Sequence, residues 1–194
     1  MMDRWLILAS ASPRRQTLLE LAGIEIEVVP SGVEETLRKN EDPSDHVRRM
    51  AQEKTEAVAG RFPDRWVIGA DTIVVIDGES LGKPKTQKDA REMLSLLSGR
   101  IHQVLTGYAV AMKKESLFVS DVVETKVKIK HLSLKEISWY VRTGEPIDKA
   151  GAYAIQGAGA FMIEEIRGSY TNVVGLPLCQ VLESLRALGA IDLK

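Results

Sequence analysis

Apolar residues along this chain fall into two spacings, alternation and helical recurrence, and the switches between them mark its elements. Leu6 to Ala9, inside "WLILA", is a continuous apolar run and predicts a buried strand. In the following "SPRRQTLLELAG", Ser12 predicts an N-cap and Pro13 the first helical residue, where a missing N–H costs nothing. Leu18, Leu21 and Ala22 are expected to form the apolar stripe, with Gly23 as a left-handed stop. "IEIEVVP" alternates, as a strand with one wet face does. Asp42 and Pro43 then open a second helix, which carries Val47, Met50, Ala51, Lys54 and Val58 before Gly60.

The next stretch is strongly β-branched. "VIGADTIVVI" predicts a strand, and Asp77-Gly78 predicts a tight hairpin into the next one. Thr86 and Asp89 stand at capping-box spacing ahead of a helix that Gly99 ends. "HQVLTGYAVAMKK" and "VSDVVETKVKIKHL" read as strands. In the second, Val123, Thr125, Val127 and Ile129 alternate with charged neighbours, so one face is wet. Ser133 and Glu136 box another helix, stopped by Gly144. "GAYAIQGAGAFMIEEI" reads as a Gly-rich strand and turn, and "GLPLCQVLESLRALG" as a closing helix. Helices alternating with strand pairs, without repeat or linker, predict a mixed α/β fold. Its twisted, partly antiparallel sheet is flanked by helices in one domain over residues 1–194, built as two lobes.

Composition narrows the function. With 27% charged residues and a formal net charge of −1, the chain has no global field to draw in nucleic acid or an anionic membrane. Chemistry on phosphates must therefore use local charge. The single cysteine, Cys179, allows no internal disulfide and fits a reducing, cytoplasmic setting. The opening apolar run is too short for a signal peptide or a membrane span. His46, His102 and His131 lie far apart with no metal-ligand spacing, so they read as ordinary histidines and zinc chemistry is not expected.

Four constellations carry candidate chemistry. Arg14 and Arg15 oppose the positive end of the helix dipole, at a cost of about 0.3–1 kcal/mol each when exposed. A phosphate bound there reverses that sign, because each guanidinium can donate two charge-assisted hydrogen bonds. The alternative is that both arginines face solvent or pair with acids such as Glu20. Asp71 interrupts the apolar "GADTIVVI", where an ionised carboxylate needs a partner or a metal. Together with Glu34 or Glu35 it offers hard oxygens to Mg²⁺ or Mn²⁺, or a base for water. Gly69 and Ala70 beside it keep the approach open to a ligand. Lys54, Lys83 and Lys85 are point charges suited to a polyphosphate tail. In "DKAGAYAIQG", small residues around Tyr153 leave room for a flat ring, and Gln156 offers one amide donor and one acceptor. The edge of uracil or thymine, a carbonyl beside a ring N–H, is the matching pair. A glutamine closing a turn is the alternative.

Taken in order, "LASASPRR", "GVEE", "RMAQEK", "GADTIV", "LGKPK", "LSGRIHQVLTG", "DKAGAYAIQG" and "GSYTNVVGLPL" resemble the Maf family of nucleoside triphosphate pyrophosphatases over nearly the whole chain. Within the family they are similar to the branch acting on dTTP and UTP. The resemblance implies hydrolysis between the α- and β-phosphates, with a divalent cation, Mg²⁺ or Mn²⁺, and leaves room for a homodimer. Its fold is a two-lobed body with a central cleft, similar to the inosine triphosphate pyrophosphatases. By motif, Asp71 takes the role of proton acceptor, and Arg15, Thr72 and Gln156 the positions linked to substrate choice. Glu35, Lys54 and Lys83 match further active-site positions, and Ser10, Ser12 and Arg14 the phosphate-side loop. The metal would fall to Glu35 and Asp71. Two other readings keep the same motifs: a nucleotide-binding regulator of cell division, and the same hydrolysis on methylated GTP or on modified pyrimidine nucleotides such as modified uridine triphosphates.

Overall fold

The computed structural model of the chain describes residues 6–192. Trp5, which opens the first apolar run, lies outside them. β1 (Leu6–Leu8) runs parallel to both β2 (Ile26–Val28) and β3 (Trp66–Ile76), in register Leu6 with Ile26 and with Trp66. β4 (Glu79–Leu81) turns back on β3. Asp77 and Gly78 adopt φ of 53° and 80°, the left-handed pair that a tight hairpin needs. β5 (Ile101–Met112), β6 (Leu117–Ile129) and β7 (Ile163–Arg167) complete a seven-stranded mixed sheet of order β2-β1-β3-β5-β6-β7, with β4 off that path on β3.

The helices follow the sequence signals with instructive exceptions. α2 (Pro43–Ala59) is capped by Asp42, which accepts from the Ser44 N–H at 2.8 Å. α3 (Gln87–Leu97) and α4 (Leu134–Arg142) each open with a complete capping box, Thr86 with Asp89 and Ser133 with Glu136. α5 (Tyr170–Val174) and α6 (Leu178–Ala187) close the chain. In α1 (Pro13–Leu21) the stripe is shifted from the one expected. Arg15, Leu18 and Leu19 are buried, whereas Leu21 is 78% exposed. Positions i, i+3 and i+4 from Arg15 define that inward face, so Arg15 itself lies on it. Ser12 holds the N-cap position but its side chain makes no capping bond.

The Gly-rich segment departs further from expectation. It forms short 3₁₀ turns, Ala150–Ala152 and Gly157–Met162, and only then the strand β7. Gly151, Ala152 and Gly157 take φ of 65°, 59° and 75°, which extended pairing does not allow.

The chain divides into two compact units. One comprises Met1–Asp71, Thr106–Val123 and Gly175–Lys194; the other comprises Thr72–Leu105 and Glu124–Val174. The first buries Ile7, Val58, Val67 and Ala111 together. The second is built around Leu94, Leu97, Val127, Ile129, Tyr140 and Met162.

Candidate active site

In the first unit, helix α2 lies unusually close to the sheet, and two glycines are the reason. A Cβ on Gly69 of β3 would collide with Thr55 Oγ1 and come within 2.8 Å of the Ala51 carbonyl oxygen. A Cβ on Gly107 of β5 would collide with the Val47 carbonyl. Gly69 is thus filled by the helix and does not open the strand to a ligand, as its sequence context suggested. The consequence is chemical: Lys54 on the inner face of α2 reaches Asp71, two residues beyond Gly69.

The Lys54 ammonium donates to Asp71 Oδ1 at 2.7 Å and to Glu35 Oε1 at 2.5 Å. Lys54 and Asp71 are 4% and 5% exposed, while the Glu35 side chain is 45% exposed. A buried charge of either sign alone costs several kcal/mol, so each makes the other tolerable. Glu35 comes from the loop between β2 and α2, and Arg49 ties that loop down. It donates from Nη2 to the Thr36 carbonyl at 3.0 Å, and from Nε and Nη2 to Glu41 at 2.5 and 2.7 Å. The hydrogen bonds from Arg49 hold the Glu41 carboxyl down at about 2, against its own partial burial.

Arg15 occupies the same unit. Its Nε donates to the Gly175 carbonyl at 2.7 Å and its Nη1 to Ser10 Oγ at 2.9 Å. Ser10 Oγ also accepts from the Ser12 N–H at 3.3 Å. Burial pulls the Arg15 pKa down, and the negative charges of Asp71 and then Glu35 oppose that fall. The alternative, that both arginines face solvent or pair with Glu20, does not hold for Arg15; Gln16 donates to Glu20 instead. Arg14 is half-buried beside it.

Ser10, Ser12, Arg14, Arg15, Glu35, Lys54 and Asp71 therefore all belong to the first unit, with direct contacts joining Ser10 to Arg15 and Lys54 to both carboxylates. Thr72, Lys83 and Gln156 belong to the second. Thr72 is the residue after Asp71 on β3 and is half-buried; Lys83 and Gln156 are exposed. Lys85 contributes its backbone N–H to Asp89 at 3.0 Å, at the start of α3.

Two carboxylates converging from different elements are the hard-oxygen donors that Mg²⁺ or Mn²⁺ takes, in sites that phosphate oxygens and water complete. Glu35 and Asp71 meet that description. Among the described residues no group of three or more His, Cys, Asp or Glu stands ready to enclose an ion alone.

His46 was read from sequence as ordinary, and its position is not. It is buried, with Nδ1 3.0 Å from Glu41 Oε2 and Nε2 3.9 Å from Asp71 Oδ2. The signal was available: His46, Met50 and Lys54 recur at i, i+4 and i+8, so the histidine shares the face of the buried lysine. The carbonyl of Gly175 as a seat for Arg15 had no such signal, because it lies 160 residues away in sequence.

A dTTP/UTP pyrophosphatase of Geotalea uraniireducens is 56% identical over 187 residues, covering 96% of this chain and 96% of the relative. A dTTP/UTP pyrophosphatase of Syntrophus aciditrophicus is 53% identical over 191 residues, covering 98% of this chain and 93% of the relative. Among solved structures, a HAM1 protein from Coxiella burnetii is similar with a TM-score of 0.44 at 15% identity, over 94% of this chain and 96% of that one. The family model described as Maf-like protein matches residues 5–188, and the chain belongs to the Maf family.

Proposed function

We propose that this protein is a nucleoside triphosphate pyrophosphatase that hydrolyses dTTP and UTP between the α- and β-phosphates, releasing monophosphate and diphosphate. The observation that carries the reading is the buried Lys54 ammonium held between Asp71 and Glu35, in the unit where Arg15 is seated against Ser10. Relatives at 53% and 56% identity that bear the name dTTP/UTP pyrophosphatase support it.

In this mechanism Ser10, Ser12, Arg14 and Arg15 receive the phosphate tail. The guanidinium of Arg15 is fixed by its bonds to Gly175 and Ser10, so no ordering is needed when substrate arrives. Lys54 fixes Oδ1 of Asp71, and Asp71 accepts the proton of the attacking water at its other oxygen. Lys54 and Lys83 offset the negative charge that repels a nucleophile from the α-phosphorus. Glu35 would hold a divalent cation, Mg²⁺ or Mn²⁺, which would supply stabilisation of charge on the leaving diphosphate; Asp71 would join it as a ligand only in place of its role as base. Thr72 and Gln156 govern the choice of base, with the Gln156 amide matched to the carbonyl and ring N–H of uracil or thymine.

One catalytic domain over residues 1–194 belongs to this reading, since β3, β5 and β6 each supply residues to both units and the family match runs over 5–188. A reducing cytoplasm suits the exposed free thiol of Cys179. No helix of the described residues is long and apolar enough to cross a membrane. Sedimentation of the purified chain separates the homodimer from a monomer.

The test is a panel of nucleoside triphosphates with Mg²⁺ or Mn²⁺, with both products identified. Monophosphate and diphosphate from dTTP and UTP, without any partner protein, are expected. Release of inorganic phosphate, or no turnover of any triphosphate, overturns the reading.

A further inference from the structure

A glutamine amide pairs with a base edge only at hydrogen-bond distance from it. It selects a base only where the chain that carries it is held still. The segment bearing Gln156 belongs to neither a helix nor a strand, so something else must hold it.

Its two feet are fastened by one pair of side chains, both within the second unit. On the near side, the Ala154 N–H donates to the Tyr140 hydroxyl oxygen at 3.1 Å. That hydroxyl donates in turn to Glu145 Oε1 at 2.8 Å. On the far side, the Ala158 N–H donates to Glu145 Oε2 at 2.9 Å and the Gly159 N–H to Glu145 Oε1 at 3.0 Å. One carboxylate and one phenol thereby close a ring around Ile155, Gln156 and Gly157. The glycines of "QGAG" are explained by the same contacts. A Cβ on Gly157 would lie 2.6 Å from Glu145 Oε2, and one on Gly159 would lie 2.8 Å from the Tyr140 hydroxyl and collide with the Ala154 carbonyl. Just inside the near foot, His102 Nε2 and the Tyr153 hydroxyl are 2.7 Å apart in the core. Tyr140 is fully buried, so its hydroxyl cannot exchange these partners for water.

We propose that Tyr140 and Glu145 are positioning residues for base selection: they clamp the Gln156 segment so that its amide is presented at one place. This rests on the reading that Gln156 selects the base. The clamp touches no substrate, and its loss relaxes discrimination more than it slows the chemical step.

The experiment measures kcat and KM for UTP and CTP in wild type, Gln156→Ala, Tyr140→Phe, Glu145→Gln and Glu145→Ala, with thermal midpoints alongside. In Tyr140→Phe and Glu145→Ala the UTP-to-CTP ratio of kcat/KM is expected to fall about tenfold, mainly through the KM for UTP, since small misplacements of a reading group are costly. Glu145→Gln keeps one acceptor oxygen and should fall between Glu145→Ala and wild type. If Gln156→Ala lowers the ratio while the folded Tyr140 and Glu145 variants keep the wild-type ratio, the clamp is overturned and the base reading survives. If Gln156→Ala itself leaves the ratio unchanged, the base reading fails and the clamp falls with it. Should the Tyr140 and Glu145 variants not fold, amide exchange in the wild-type protein decides. Slow exchange at Ala154, Ala158 and Gly159 supports the clamp, and exchange as fast as in open turns overturns it.

Discussion

The charged centre on α2 and β3 and the Gln156 segment are both candidate parts of one enzyme, yet they are held in opposite ways. Lys54, Asp71 and Glu35 form a group of opposite charges, two of them on regular elements, and buried Lys54 and Asp71 each need the other to be tolerated in the interior. Gln156 sits on irregular backbone whose N–H groups are taken by Tyr140 and Glu145, with glycines where a side chain would collide. Chemistry on a polyanion calls for strong local charge in a fixed place, and a helix against a strand provides it. Reading a base edge calls for a neutral amide at a set height, and a fastened turn does this without adding charge.

The largest expected effect breaks the charged side of the comparison. Asp71→Asn should lower kcat by about 10³ or more in the folded protein, because a preorganised group in the transition state is worth that much, and should also lower the thermal midpoint, because buried Lys54 loses one of its two counter-charges. Near-normal turnover in the folded variant removes Asp71 from the mechanism.

The next effect belongs to the neutral side. Burial depresses the His102 pKa to about 4 from its ordinary 6.5. The unfolded chain therefore binds the extra proton first as pH falls. The stability due to neutral His102 is complete above about pH 6.5 and is lost progressively down to about pH 4, roughly 3 kcal/mol in all. Urea titrations across that window should show the slope, and His102→Gln should flatten it. An unchanged slope in the variant assigns the pH dependence to other groups.

A smaller effect tests whether the charged centre depends on close packing. Gly69→Ala places a Cβ against Ala51 and Thr55 of α2. A loss of roughly 1–3 kcal/mol is expected from overpacking, with kcat reduced as Lys54 moves from Asp71. Full activity with full stability shows that the helix has room to shift. The smallest effect is a control outside both regions: Thr86→Ala removes the α3 cap, costs about 1 kcal/mol, and leaves kcat and KM for UTP as in wild type.

Much of this was legible from sequence because it rests on local rules. Both capping boxes, the Asp42 cap and the Asp77-Gly78 turn formed as expected, since each is settled within four residues. The inner face of α2, from Val47 through Met50 and Lys54 to Val58, was visible in its period. The places that differ are those where a distant residue decides. Leu21 looked apolar enough to be buried, but the face of α1 is set by Arg15, Leu18 and Leu19. The Gly-rich segment was expected to open as a strand, but Tyr140 takes the Ala154 N–H and Glu145 those of Ala158 and Gly159, and turns form before β7.

The order of residues alone determined every α-helix of the described residues but α5, the hairpin and the family, because caps, periods and motifs are short-range patterns. Only the tertiary structure decided that Gly69 is a seat for a helix, that His46 approaches Asp71, and that Arg15 turns inward to the Gly175 carbonyl. Those depend on which surfaces pack together, and packing joins residues that no local rule connects.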